Sequence, residues 1–307
     1  MALNGILPLW KEKGMTSHDC VIRARRILKT KKVGHTGTLD PEVDGILPLC
    51  IGRATKVAEY VTDQGKTYEA EVTIGYSTET EDATGETVEE DNSEKQVTRE
   101  QLIAIFEKLT GEITQIPPMY SAVKVNGRKL YEYARKGQTV ERPKRIVRID
   151  SIELLDDSTQ WTGQRITFPL RIVCGKGTYI RTLAVQIGEA LGYPAHMSKL
   201  TRTASGSFLR EDCVTLAEAE ELAQNGTIDA ALKPLKDALS DFATTALEEA
   251  DLFAVKNGQV LPMHPLLAEH PLLVLTWQGE PLAIYKQHPE KQDKMKPEKM
   301  FGLPETE

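Results

Sequence analysis

Apolar positions along this chain repeat with two periods, and the period changes several times. Val21, Ile22, Ile27 and Leu28 keep helical spacing behind Ser17, which predicts a helix with Ser17 as its N-cap and an end near Lys29. Residues 46–51 form a short apolar run that predicts a buried strand, followed by a short helix over 55–61. Tyr68, Ala70, Val72 and Ile74 then alternate with Glu69, Glu71 and Thr73, the pattern of a strand with one buried face, so Tyr68 is predicted to point inward. A polar loop is expected over 77–95. Thr98 stands three residues before Gln101, the spacing of a capping box, ahead of Leu102, Ile105, Phe106 and Leu109 at helical spacing. Residues 122–125 read as a strand meeting the turn pair Asn126-Gly127, and apolar alternation resumes around 146–154 and 166–173. Ile180, Leu183, Ala184, Ile187 and Leu191 predict a helix from Thr178 until Gly192.

This order mixes hairpins with helices and is not a βαβα alternation. It predicts an α+β fold, a mainly antiparallel mixed sheet with flanking helices. Beyond about Asp237 two further apolar runs, 261–267 and 272–275, are separated by Pro and Gly turns. They predict a small C-terminal β-rich domain, so the expected division is residues 1–240 and 241–307. Residues 286–299 read equally well as part of that domain or as a loose charged tail.

The 307 residues carry a formal net charge of −7, which at first argues against a nucleic-acid partner. The distribution reverses that reading. Residues 23–32 hold six basic side chains (Arg23, Arg25, Arg26, Lys29, Lys31, Lys32) and no acid. Residues 124–148 hold nine basic side chains against the two acids Glu132 and Glu141. Such separation permits a basic footprint on an acidic protein, although either run alone reads equally well as a solvated helix face. Cys20, Cys50, Cys174 and Cys213 are scattered without a C-x-x-C pair, which predicts reduced thiols and neither a zinc ribbon nor a disulfide framework. No apolar run approaches the roughly 20 residues needed to span a bilayer, and the N-terminus lacks signal-peptide order. A soluble, cytoplasmic protein with no membrane partner is expected.

Candidate chemistry concentrates in Lys32-Val33-Gly34-His35-Thr36-Gly37-Thr38-Leu39-Asp40-Pro41, followed by Gly45-Ile46-Leu47-Pro48. Pro41 biases Asp40 toward an extended conformation, while Gly34 and Gly37 permit tight turns. A carboxylate and an imidazole are thereby held on a stiff loop. From the residues alone, Asp40 reads either as a catalytic group or as an ordinary Asp-Pro turn residue.

The string from Gly34 to Pro41, with Gly45-Ile46-Leu47-Pro48 downstream, resembles the catalytic motif of the TruB family of pseudouridine synthases. Further similarity lies in Gly14-Met15-Thr16-Ser17, Lys66-Thr67-Tyr68, Pro117-Pro118-Met119-Tyr120-Ser121-Ala122 and Gly177-Thr178-Tyr179-Ile180-Arg181-Thr182. The resemblance implies the pseudouridine synthase fold and the isomerisation of the uridine at position 55 in the tRNA T loop. It implies Asp40 as nucleophile, Tyr68 beneath the target base, Arg181 paired with Asp40, Tyr179 lining the pocket and His35 wedged into the RNA loop. Lys11, Lys31, Lys32, Arg142 and Lys144 are the candidate RNA contacts. It implies neither a metal nor an organic cofactor, tRNA through its T arm as partner, no obligatory protein partner, and a monomer. Residues beyond about 246 resemble a PUA domain, an RNA-holding module, chiefly in 252–261.

Two positions depart from the family's pattern. Glu12 stands where proline usually follows the lysine, and Asp44 where a small residue is common. Asp44 near Asp40 would raise the nucleophile's pKa. The pair also supplies a rival reading as the two carboxylates of a glycoside hydrolase. A second rival is an RNA-binding module that has lost catalysis.

Overall fold

A computed structural model describes residues 3–302. The chain forms two compact units, one built from residues up to 62 together with those from 206 onward, the other from residues 63–205.

The first unit opens with β1 (Gly5–Lys11), α1 (Ser17–Ile27), β2 (Val33–His35) and β3 (Asp44–Ile51), in which β1 and β2 both pair antiparallel with β3. Helix α1 is capped by Thr16 and not by Ser17. Asp19 stands three residues after Thr16 and returns its hydrogen bond, a reciprocal capping box that Ser17 cannot form. Gly34 is likewise a strand residue of β2, paired with Cys50, so of the two loop glycines only Gly37, at φ 139, uses glycine's extra freedom. The predicted helix over 55–61 is a 3₁₀ turn, Gly52–Val57, running into α2 (Ala58–Asp63).

The second unit contains β4 (Lys66–Ile74), β5 (Tyr76–Thr78), β6 (Thr87–Glu90), β7 (Lys95–Thr98) and α3 (Arg99–Lys108). It continues with β8 (Gly111–Gln115), β9 (Lys124–Val125), β10 (Arg128–Lys129), α4 (Leu130–Ala134), β11 (Arg145–Leu154), β12 (Gln160–Gly163) and β13 (Ile166–Cys174). It closes with α5 (Ile180–Leu191) and β14 (Ala195–Ser205). Strands β14, β4, β13, β11 and β8 lie side by side in that order, antiparallel throughout. The alternation from Tyr68 to Ile74 buries Tyr68, Ala70, Val72 and Ile74, as expected. Helix α5 buries Leu183, Ala184 and Ile187, each large side chain contributing about 1.5–3 kcal/mol, and stops at Gly192 in the left-handed region. The expected polar loop over 77–95 contains the hairpin β5–β6, whose second strand is exposed along its whole length.

The first unit then resumes with β15 (Phe208–Leu209), α6 (Leu216–Gln224), β16 (Ala243–Ala246), α7 (Glu249–Lys256), β17 (Leu261–Pro262), β18 (Leu273–Trp277), β19 (Glu280–Gln287) and β20 (Lys294–Met300). The last five strands form one sheet, ordered β16-β18-β19-β20-β17, around Val255, Leu273, Leu275, Leu282 and Tyr285. Residues 286–299 are therefore largely paired strand and not a tail. Val274, Ile284 and Phe301 also join Ile6, Ile46 and Cys50 in a shared core, so this sheet is packed onto the first strands of the chain. Among the described residues no helix is long and apolar enough to cross a membrane.

Candidate active site

In the first unit, Asp40 lies half-buried on the loop between β2 and β3, and its backbone surroundings are tied down on both sides. On the near side, Leu39 N donates to Ser17 Oγ at 2.8 Å, and Ser17 Oγ donates to Leu39 O at 3.2 Å. On the far side, Pro41 O accepts from Gly14 N at 2.9 Å and from Lys11 Nζ at 3.1 Å. The same ammonium donates to Val43 O at 2.6 Å and Glu12 O at 3.1 Å, while Val43 N donates to Asp40 O at 3.1 Å. Earlier in the loop, Thr36 N and Oγ1 both donate to Pro48 O, and His35 Nδ1 meets Gly37 O at 2.6 Å.

Lys11, expected among the RNA contacts, is buried in this structure. The residue is 0% exposed and its ammonium donates to three carbonyls, so it holds the Asp40 loop. Burial pushes its pKa below the ordinary lysine value, while the Cys20 thiol and the Asp44, Asp40 and Glu42 carboxylates act in the opposite direction. Asp44 thus contributes to keeping this ammonium charged. Glu12 is exposed, and only its carbonyl enters the arrangement.

The second unit carries the other candidate site residues. Tyr68, 9% exposed, sits in β4 opposite Ile172 of β13 and Arg202 of β14. Arg181, 5% exposed, is the second residue of α5, and donates from Nη1 to Thr80 O at 2.9 Å and from Nη2 to Tyr120 O at 3.0 Å. Thr80 belongs to a turn knotted around Asp82, whose Oδ1 accepts from Thr80 Oγ1, Thr84 N and Thr84 Oγ1 at 2.6 to 2.9 Å. Tyr179, half-buried, is the N-cap of α5, and its main chain is held by Gln115.

Beside Arg181 lies a carboxylate that sequence reasoning missed. Glu81 takes a left-handed φ of 63, its Oε2 accepts from Thr182 Oγ1 at 2.8 Å, and its Oε1 stands 3.9 Å from Arg142 Nη1. Burial pushes its carboxyl pKa up, against the pull of Thr182, Arg181 and Arg142. The left-handed backbone at a non-glycine residue is the structural mark of this site, and no sequence pattern announced it. Lys66 is buried too, with Nζ donating to Gln64 O at 2.6 Å. Burial, helped by the Arg202 guanidinium, brings its pKa down to about 8.

The remaining candidate RNA contacts differ in availability. Lys31, Lys32 and Lys144 are exposed, whereas Arg142 donates to Pro117 O at 3.0 Å in addition to facing Glu81. Among the described residues, no group of three or more His, Cys, Asp or Glu side chains is placed to hold a metal ion.

These residues can be set beside known proteins. Residues 25–180 match the model of the TruB family pseudouridylate synthase N-terminal domain, and residues 181–240 that of the tRNA pseudouridylate synthase B C-terminal domain. A protein of Listeria innocua named tRNA pseudouridine synthase B is 59% identical over 303 residues, covering 98% of this chain and 99% of its own length. One of the same name from Bacillus cytotoxicus is 51% identical over 300 residues, covering 97% of both chains. A chain in a solved Cbf5-Nop10-Gar1 complex is 27% identical with a TM-score of 0.73, across 98% of this chain and 85% of that one. Another, in an H/ACA RNP bound to a substrate RNA containing 2′-deoxyuridine, is 25% identical with a TM-score of 0.71, across 98% of this chain and 85% of that one. With a family model across half of its length and relatives more than half identical over nearly all of it, this chain belongs to the TruB family of pseudouridine synthases.

Proposed function

We propose that this chain is an isomerase that converts a uridine of tRNA to pseudouridine, that the target is the uridine at position 55 of the T loop, and that Asp40 is the nucleophile. The observation that carries the proposal is the immobilised main chain around Asp40, with Leu39 bound by Ser17 and Pro41 by Gly14 and Lys11. A carboxylate held this firmly suits an attack that tolerates little misplacement. The names of the relatives support tRNA as substrate, and the H/ACA RNP with its bound substrate RNA supports a uridine-like nucleoside in RNA. Family membership leaves the glycoside hydrolase reading of Asp40 and Asp44 without support.

Pseudouridine formation breaks the N1–C1′ bond, turns the uracil and joins C5 to C1′. C5 gives up a proton and N1 takes one, so the product is an isomer of the substrate. In this reading Asp40 acts on the nucleoside as nucleophile or base. Arg181 supplies the cation that favours an ionised Asp40, a guanidinium being charged at every working pH. Tyr68 offers a flat face to a base taken out of its stack, Tyr179 lines the pocket and His35 fills the space left in the RNA loop. Residues 1–240 carry catalysis and residues 241–307 act as a PUA-like RNA-holding module. The chain works as a monomer in the cytoplasm, without cofactor or protein partner.

The test is incubation of the purified chain alone with an unmodified tRNA transcript, followed by mapping of pseudouridine. Product at position 55 is expected from the wild type and none from Asp40→Asn, with tRNA affinity of the variant within a few-fold of wild type. Turnover by Asp40→Asn, or product only at other positions, sinks the assignment.

A further inference from the structure

We infer that Ser17 is a positioning residue for Asp40, gripping the peptide on its N-terminal side so that the carboxylate can move only through its own side-chain torsions. The inference rests on the reading of Asp40 as nucleophile. Ser17 is 2% exposed and Leu39 is 4% exposed, so their mutual bonds are shielded from water. A hydroxyl has one proton and two lone pairs. Here the proton goes to Leu39 O and one of the lone pairs to Leu39 N, so the hydroxyl both donates to and accepts from the residue before Asp40.

The grip is firm because α1 is firm. Thr16 takes over the capping of this helix, which leaves the Ser17 hydroxyl available for the loop. Cys20, Val21 and Ala24 are buried along the same helix, so the serine stands on a packed support. On the other side Pro41 O is held by Gly14 N and Lys11 Nζ, and the Asp40 carbonyl itself accepts from Val43 N. Loss of the Ser17 hydroxyl removes the grip on Leu39 alone. It leaves a buried N–H and a buried carbonyl without their partner, and the peptide entering Asp40 gains freedom.

The experiment compares Ser17→Ala with Thr98→Ala, which removes the cap of α3 and touches no part of the Asp40 loop. Three quantities are read: exchange of the Leu39 amide proton, kcat and KM on a T-arm stem-loop, and melting temperature. In Ser17→Ala we expect faster Leu39 exchange and a kcat lower by about 10- to 100-fold, the scale of a misplacement near 1 Å, with KM within about 3-fold. Thr98→Ala keeps the wild-type kcat despite its lower melting temperature. Should Ser17→Ala not fold, Ser17→Cys, which keeps a weaker donor and acceptor at this position, is expected to show a smaller kcat loss with KM again unchanged. Wild-type kcat in Ser17→Ala or Ser17→Cys, or unchanged Leu39 exchange, overturns the inference. A wild-type protein that makes no pseudouridine overturns the Asp40 reading instead, and Leu39 exchange keeps the two failures apart.

Discussion

Gln115 holds the main chain of Tyr179 with both ends of its amide: Oε1 accepts from Tyr179 N at 3.0 Å and Nε2 donates to Tyr179 O at 3.2 Å. Tyr179 is the N-cap of α5 but makes no side-chain cap bond of its own, so Gln115, the last residue of β8, anchors the start of that helix from outside. Arg181 follows two residues later, and the anchor therefore sets where its side chain begins.

Gln115 is 1% exposed, and its replacement by leucine would leave the Tyr179 N–H without its acceptor, while Tyr179 O keeps the bond from Leu183 N. The expected loss is about 1–3 kcal/mol in denaturant unfolding, with a matching fall in melting temperature. A loss below about 0.5 kcal/mol would mean that water or another side chain takes over, and that the anchor is not needed.

Tyr68 separates two readings of a buried aromatic. If it lines the base pocket, Tyr68→Leu cuts turnover strongly while unfolding free energy changes by less than about 1.5 kcal/mol. If it is a core residue, truncation costs several kcal/mol, on the order of 3–5 for a large aromatic reduced to alanine, and activity falls only because the protein does. Turnover measured well below the melting temperature decides between them.

Much of the second unit is legible in the sequence because its signals are local. The twofold alternation of β4, the Thr98–Gln101 capping box and the helix ending at Gly192 each depend on residues within a few positions of one another. Ser17 reads wrongly as a cap because serine is, if anything, the better N-cap of the two, and the discriminating residue, Asp19, is a partner only for Thr16. Strand β6 is hidden because both its faces are exposed, so no apolar alternation marks it. Lys11 and Glu81 are illegible for another reason. The Lys11 acceptors at Pro41 and Val43 lie about 30 residues on, and Glu81 meets Thr182 some 100 residues on, distances that composition and period do not bridge.

Lys66 gives a pH signature. Its folded pKa of about 8 lies below the ordinary 10.5, so the charged form costs stability in the fold. The cost is fully present below pH 8, relaxes as pH rises through the folded value and is gone above the unfolded one. Compared with Lys66→Met, which never carries the charge, the wild type should gain stability between pH 8 and 10.5. Urea midpoints of both proteins measured across that window check the sign, and parallel curves would show that Lys66 titrates normally.

Binding of the T-arm stem-loop should weaken with salt, because phosphate contacts release counterions, and the slope of log affinity against log salt counts those contacts. Lys31 and Lys32 are exposed at the end of the first basic run, and Lys144 is exposed in the second. Replacing Lys31 and Lys32 with glutamine should flatten the slope by up to about one unit per lost contact, and Lys144→Gln should do likewise. Arg142 differs, since it already donates to Pro117 O and faces Glu81 at 3.9 Å. Meeting a phosphate would require it to give up part of that arrangement, so Arg142→Gln should flatten the slope less than Lys144→Gln. It should also strip Glu81 of a compensating charge and lower stability modestly. Equal slopes for the two single variants would mean that Arg142 leaves Glu81 when RNA arrives. A slope unchanged in every variant would place the RNA on another surface, even with Asp40 confirmed as the nucleophile.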